Sequence, residues 1–285
     1  MKQELVRMKS IDDIELPGIL YTSEEEKTNK IVIHVHGMSG NFYENGFIDE
    51  LAKSYIGKGY SFLTFNNRGK DYITELIKND EYIILGSCLE SFKDCILDID
   101  GVINWVKSIG YSEIILEGHS YGCNKVIYYY DKKKDESVKQ IVLLAPCDIP
   151  KEIELYTGDE YERCVSESKR LVENGRENQL IDFPVFANGK VSANTFYKDF
   201  LYESDCDFFR YRDLDYKSRI LHEIEIPVLI IFGDKDECVL TQPLEIVEKY
   251  LKTNIKNCNV LIIENTDHSY TRKYRELVKL VEENI

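Results

Sequence analysis

Gly118-His119-Ser120-Tyr121-Gly122 stands between Glu113-Ile114-Ile115-Leu116-Glu117, which reads as a short buried strand, and Cys123-Asn124-Lys125-Val126-Ile127-Tyr128, which can continue as a helix. A sharp turn between two such elements lifts a serine hydroxyl clear of the backbone, and the flanking glycines make room for it. The amide after the serine, Tyr121 N–H, sits at a helix start and can point at a developing oxyanion. Ser120 is therefore the candidate nucleophile. Such a hydroxyl is poor at attack until a base takes its proton, so a histidine must come near it.

The sequence has five histidines. His34 and His36 lie two apart on a strand, a spacing that can serve metals, but His36-Gly37-Met38-Ser39 adds no further ligand. They read as a loop-stabilising pair, and no metal or cofactor is implied. His119 occupies the variable position of the turn and should point away from the nucleophile. His222 lies in a charged stretch, Arg219-Ile220-Leu221-His222-Glu223, and reads as a surface residue. His268 remains, after the apolar run Val260-Leu261-Ile262-Ile263. A carboxylate must hold its imidazole in one tautomer and stabilise it once charged. Asp234 and Asp236 follow the run Pro227-Val228-Leu229-Ile230-Ile231-Phe232, and Asp148 follows Ile141-Val142-Leu143-Leu144-Ala145-Pro146, so three acids compete. Asp234 has the character of a turn residue that bonds nearby amides.

In this arrangement, serine then acid then histidine, each after a strand, the chain from about Ile31 onward resembles the α/β-hydrolase superfamily of serine hydrolases. The resemblance implies Asp236 as the acid, from the family's Gly-x-x-Asp pattern in Gly233-Asp234-Lys235-Asp236. It also implies that Gly37-Met38-Ser39-Gly40 is the oxyanion loop, with Met38 N–H as the second donor beside Tyr121 N–H. Asn66-Asn67-Arg68-Gly69 resembles the family's Arg-Gly turn, which makes Arg68 a structural ion-pair partner. The Phe65–Gly69 turn, the Ser120 motif and Ser192-Ala193-Asn194-Thr195-Phe196 are similar to a capped group containing fungal siderophore (fusarinine-type) esterases. The implied activity is cleavage of a small-molecule carboxylic ester through an acyl-enzyme. Thioester, amide or acyl-transfer chemistry would use the same residues, and a hydrolase-fold protein that only binds a ligand is the reading from another class.

The elements that must position these groups follow from periodicity. Strands are expected near 3–8, 14–21, 31–36, 60–66, 113–117, 140–146, 227–232 and 258–264, the first two as an antiparallel pair. Leu89, Phe92, Ile96, Ile99, Ile103 and Val106 recur at helical spacing and predict a helix over 88–108. Another helix is expected over 270–283. Strands alternating with helices imply an α/β fold: a mostly parallel sheet with helices on both faces and the site at the carboxyl ends of the strands.

About 80 residues separate Pro146 from Pro227, where a dozen or more would make one crossover. Residues 148–222 therefore read as an inserted cap, with 1–147 and 223–285 forming the catalytic domain. Within the cap, Tyr161–Asn174 reads as a helix ending at Gly175, and Asn188-Gly189 signals a hairpin. Its many aromatics read mainly as cap core, with Phe196 and Phe208 as candidates for a substrate pocket.

A chain of 285 residues forms a core easily, and its net charge of −15 disfavours nucleic acid and anionic lipid surfaces. No apolar stretch approaches the ~18 residues needed to span a membrane. The start, Met1-Lys2-Gln3-Glu4-Leu5, has no apolar leader core. The eight cysteines contain no Cys-x-x-Cys pair, so they read as free, mostly buried thiols in a reducing cytosol. Cys123 and Cys147 are expected near the site, with Cys123 inside the helix rather than on the turn.

Overall fold

Runs of Val, Ile, Leu and Phe too short for helices pair laterally into one eight-stranded sheet in the computed structural model, which describes residues 1–185, 189–238 and 242–285. The strands are β1 (Lys2–Lys9), β2 (Glu15–Thr22), β3 (Lys30–Val35), β4 (Ser61–Phe65), β5 (Thr74–Lys78), β6 (Glu81–Leu85), β7 (Glu113–His119), β8 (Val138–Leu144), β9 (Val228–Gly233) and β10 (Cys258–Ile263). The sheet order is β1-β2-β4-β3-β7-β8-β9-β10, while β5 and β6 form a separate two-stranded sheet, tied to the main chain before β2 by an antiparallel bridge from Lys78 to Ile14. β1 and β2, and β2 and β4, run antiparallel; every other neighbouring pair in the large sheet is parallel.

Helices alternate with the strands: α1 (Ile48–Gly57), α2 (Cys95–Ser108) and α3 (Tyr121–Lys133) precede β8. Between β8 and β9 lie α4 (Ile149–Thr157), α5 (Tyr161–Glu173), α6 (Ala193–Asp199) and α7 (Arg219–His222); α8 (Leu244–Asn254) follows β9 and α9 (Tyr274–Glu282) follows β10. Successive strand side chains face opposite ways, so the sheet has two cores. Ile31, Ile33 and Val35 of β3 pack in the cluster that holds Ile99 and Val102 of α2, Val126 of α3 and Val247 of α8. Val32 packs in the other, with Leu51 of α1 and Leu277 and Val281 of α9. The expected α/β fold, mostly parallel and covered on both faces, is the one observed. Its parallel strands bring the ends of β3, β7, β9 and β10 to one edge, where Met38, Ser120, Asp236 and His268 follow them.

Three local expectations change. The hairpin of β5 and β6 was not anticipated, although Asn79-Asp80 marks it: both residues have positive φ, 51° and 64°, as a tight primed turn requires. The helix expected over 88–108 begins only at Cys95, after a short 3₁₀ turn. The preceding residues form a turn, with Leu89 N–H and Glu90 N–H donating to Gly86 O, and tertiary bonds hold it there: Ser192 N–H donates to Cys88 O at 2.7 Å and Phe92 N–H to Asp199 Oδ2 at 2.9 Å. The helix expected from 270 starts at Tyr274, because Tyr270 turns back at φ 55° to donate its hydroxyl to Ile231 O at 2.7 Å. The helix expected over 161–174 is α5, followed by Gly175 at φ 67°. Of the Asn188-Gly189 signal, Asn188 lies outside the described residues. Among the described residues no helix is long and apolar enough to cross a membrane.

Candidate active site

Ser120 caps the N-terminus of α3 at φ 55° and ψ −128°. A side-chain-bearing residue holds that backbone only when its surroundings enforce it, and such outliers gather at functional sites. Here the enforcement is visible. Ser120 N–H donates to Leu144 O at 2.9 Å, and Cys123 N–H closes the turn onto Ser120 O at 2.8 Å. A Cβ on Gly122 would lie 2.1 Å from Val35 O, so only glycine lets α3 start this close to β3. A Cβ on Gly37 would lie 2.9 Å from Ser120 Cβ, which puts the Gly37–Gly40 loop directly against the serine. Tyr121 is the first residue of α3, where backbone amides have no partner within the helix.

His268 follows β10, and its Nδ1 hydrogen-bonds Asp236 Oδ1 at 2.9 Å. Asp236 is fully buried, and the same oxygen accepts from Cys238 N–H at 2.9 Å. The competing acids are placed differently. Asp234 Oδ1 accepts from Thr266 N–H at 3.3 Å, as a turn residue does. Asp148 caps α4 through Lys151 N–H and pairs with Arg212; burial pushes its carboxyl up to about 6. Ser120 and His268 line one cavity, but among the described residues Ser120 Oγ bonds Cys147 Sγ, at 3.9 Å, rather than the imidazole. Catalytic hydrogen bonds are often long in ligand-free enzymes and tighten with substrate bound.

The remaining histidines brace this arrangement. His36 is buried between two backbone partners, Nδ1 donating to Gly37 O at 2.9 Å and Nε2 accepting from Asn67 N–H at 3.1 Å. Burial above all, with Lys125 nearby, lowers it to about 3, so it is a neutral strut for the loop. His34 Nδ1 bonds Glu117 Oε1 at 2.7 Å, and Tyr55 donates to the other Glu117 oxygen at 2.6 Å. His119 does more than point away: its Nε2 donates to His268 O at 3.0 Å, fixing the loop that carries His268. His222 is exposed. Arg68 is buried and binds Asp98 and Asp12, with Nη2 2.8 Å and 2.7 Å away respectively, so it serves structure.

The cavity measures about 570 Å³. Met38, Ser39, Ser120, Tyr121 and His268 line it from the sheet side, and Ile149, Glu152, Tyr156 and Val191 from the segment between β8 and β9. Phe196 and Phe208, expected as pocket walls, are not there. They are 0% and 2% exposed: Phe196 packs beside Tyr161 and Phe208 against Phe209. Burying those rings among other aromatics removes more apolar surface from water than a cavity wall would. Tyr72 and Tyr156 supply the aromatic surface instead. Neither carries a motif, and only the fold brings them to Ser120. A larger depression of about 720 Å³ lies at the amino ends of β8 and β9, the edge away from Ser120.

Cys123 is buried in α3 and Cys147 lies at the site, both as expected, while Cys238, not anticipated there, meets Cys147. The bond from Cys147 holds the Cys238 thiol down to about 5 against the effect of burial, with His268 assisting. Burial disfavours charge on His268, but its bonds to Asp236 and Cys238 outweigh this and raise the imidazole well above its ordinary value. Burial, then the Cys238 sulfur, pushes the Glu152 carboxyl well above the usual range.

The fold and the strand-end placement of Ser120, Asp236 and His268 define an α/β hydrolase fold. The chain belongs to the family described as Protein of unknown function (DUF1749), whose model matches residues 15–285. No curated protein sequence matches it. Among solved structures it is similar to Est1E from Butyrivibrio proteoclasticus with ferulic acid bound, at 18% identity over 98% of this chain and 96% of that one, TM-score 0.70. It is also similar to the siderophore hydrolase EstB from Aspergillus fumigatus, at 14% identity over 99% and 97%, TM-score 0.72. An α/β serine hydrolase homologue from Coxiella burnetii matches at 17% identity over 100% and 98%, TM-score 0.60.

Proposed function

We propose that this protein is a serine hydrolase that cleaves carboxylic esters of small molecules. The observation that carries the reading is the backbone of Ser120, held at φ 55° on a strand-to-helix turn and lining the same cavity as His268. Ser120 Oγ attacks the carbonyl carbon while His268 Nε2 takes its proton, and Asp236 keeps Nδ1 protonated and stabilises the imidazolium. The amides of Met38 and Tyr121 receive the oxyanion. His268 then gives its proton to the leaving alcohol, and water releases the acyl group by the same steps reversed. The sequence of roles is supported by the 2.9 Å His268–Asp236 bond and by the loop at Gly37 lying against Ser120.

Residues 148–222 act as a cap in this reading, since Ile149, Glu152, Tyr156 and Val191 close the cavity over Ser120. The mixed wall suits an acyl or aryl group with a polar substituent, and ferulic acid, the ligand named for one structural neighbour, has that character. Purified protein tested on p-nitrophenyl esters, polar aryl esters and lactones should turn over at least one class. Ser120→Ala should reduce kcat by about 10⁴-fold or more with the fold intact. Retention of more than a tenth of the activity would remove Ser120 from the mechanism.

A further inference from the structure

Cys147, Cys238 and His268 follow the ends of three adjacent strands, β8, β9 and β10. Their ligand atoms lie within 4.8 Å of one another. In a tetrahedral zinc site with Zn–S bonds near 2.3 Å, two sulfurs sit about 3.8 Å apart, so closing this triangle on a cation takes side-chain shifts of about 1 Å or less. Hydrolysis through Ser120 requires no sulfur, and neither thiol attacks the ester or carries a proton in that chemistry.

We propose that Cys147, Cys238 and His268 form a binding site for a thiophilic divalent cation, with Zn²⁺ the best match, and that its occupation switches the hydrolase off. The second half rests on the serine-hydrolase reading; the first does not.

Three features support a cation here. Asp236 already holds His268 by Nδ1, and a carboxylate bonded to one ring nitrogen orients the other toward a metal. Two thiols and an imidazole are a donor set that zinc takes in preference to magnesium or calcium. Cys238 and His268 line the cavity, so an ion has a path to them, and among the described residues its lining includes Glu152 but no lysine or arginine. Three protein ligands leave a fourth position toward the cavity for water. Binding releases to solvent the protons that the thiols and the imidazole still hold, and it requires no oxidant. The imidazole lone pair that would accept the Ser120 proton is then committed to the metal.

The test uses full-length protein, pre-reduced, desalted and kept anaerobic so that no disulfide forms. Co²⁺ alone should give a thiolate-to-cobalt charge-transfer band in the near ultraviolet with one equivalent bound, and Zn²⁺ should displace it. The band should vanish in Cys147→Ala/Cys238→Ala and persist in Cys258→Ala, whose thiol lies at the opposite end of β10. With a turned-over ester, saturating Zn²⁺ should cut the rate by about 10²-fold or more, the share a general base supplies, and EDTA should restore it. Relative to its own zinc-free rate, Cys147→Ala should need at least about tenfold more Zn²⁺ for half-inhibition. Absence of the band, or its persistence in the double variant, would overturn the site. A rate raised by Zn²⁺ would overturn the switch. A clean cobalt titration on protein that hydrolyses no ester would keep the site and discard the serine-hydrolase reading instead.

Discussion

Asp236 holds His268 from beneath: the imidazole donates from Nδ1 to Asp236 Oδ1 at 2.9 Å, and the carboxylate is fully buried. The same oxygen takes the Cys238 amide, so the turn after β9 fixes the acid before the histidine meets it. With Nδ1 engaged, Nε2 is the nitrogen that serves as base in the proposed mechanism.

Replacing that acid should act through tautomer and orientation. Asp236→Asn should lower kcat by about 10²–10⁴-fold with little change in Tm, and Asp234→Asn much less. Asp148→Asn should instead lower Tm, because it leaves Arg212 short of a partner in a buried cluster. Steady-state kinetics beside thermal unfolding separates the three. A larger kcat loss at Asp234 or Asp148 would move the acid from Asp236.

The pH profile follows from what faces His268: Asp236, Cys238 and Glu152, with His119 behind. Its pKa is raised above the ordinary value, and only the neutral imidazole accepts the Ser120 proton. Activity is therefore lost on the acidic side, and kcat/KM should have its acidic midpoint above about 6.5, the unperturbed histidine value. Cys238→Ser removes the sulfur charge that supports the imidazolium, so the midpoint should move to lower pH. A rate flat between pH 5 and 8 would count against His268 as base.

Specificity should respond to the residues that line the cavity and not to the buried aromatics behind it. Ile149→Trp should cut kcat/KM for bulky esters while sparing acetate esters, because it narrows the space beside Ser120. Phe196→Ala should cost about 3–5 kcal/mol of stability and leave the ester ranking unchanged, as expected for a core ring. An altered ranking in a stable Phe196→Ala would return that residue to the pocket.

The parts of the site that were readable in the sequence are those whose geometry is local. A strand, a five-residue turn and a helix place Ser120 on the chain itself, and the apolar runs before Asp236 and His268 set the strand ends that carry them. The choice between Asp234 and Asp236 took a pattern beyond single-residue propensity, since both are turn-forming aspartates two positions apart. The cavity wall was not readable. Tyr72, Glu152 and Cys238 come from three separate loops and segments, and their meeting depends on sheet order and on how residues 148–222 fold back. Phe196 stood out as a pocket candidate because an aromatic has the same sequence signature in a core as in a pocket. The β5–β6 hairpin had a signal, Asn79-Asp80, inside a stretch too short and polar to stand out as two strands.

The most direct test of the central claim is covalent. A fluorophosphonate should add once to the native protein and displace fluoride, and peptide mapping should place the adduct on Ser120. Ser120→Ala should take up none under the same conditions. No adduct on the folded native protein, or one that maps to Cys238 and survives Ser120→Ala, would contradict the account.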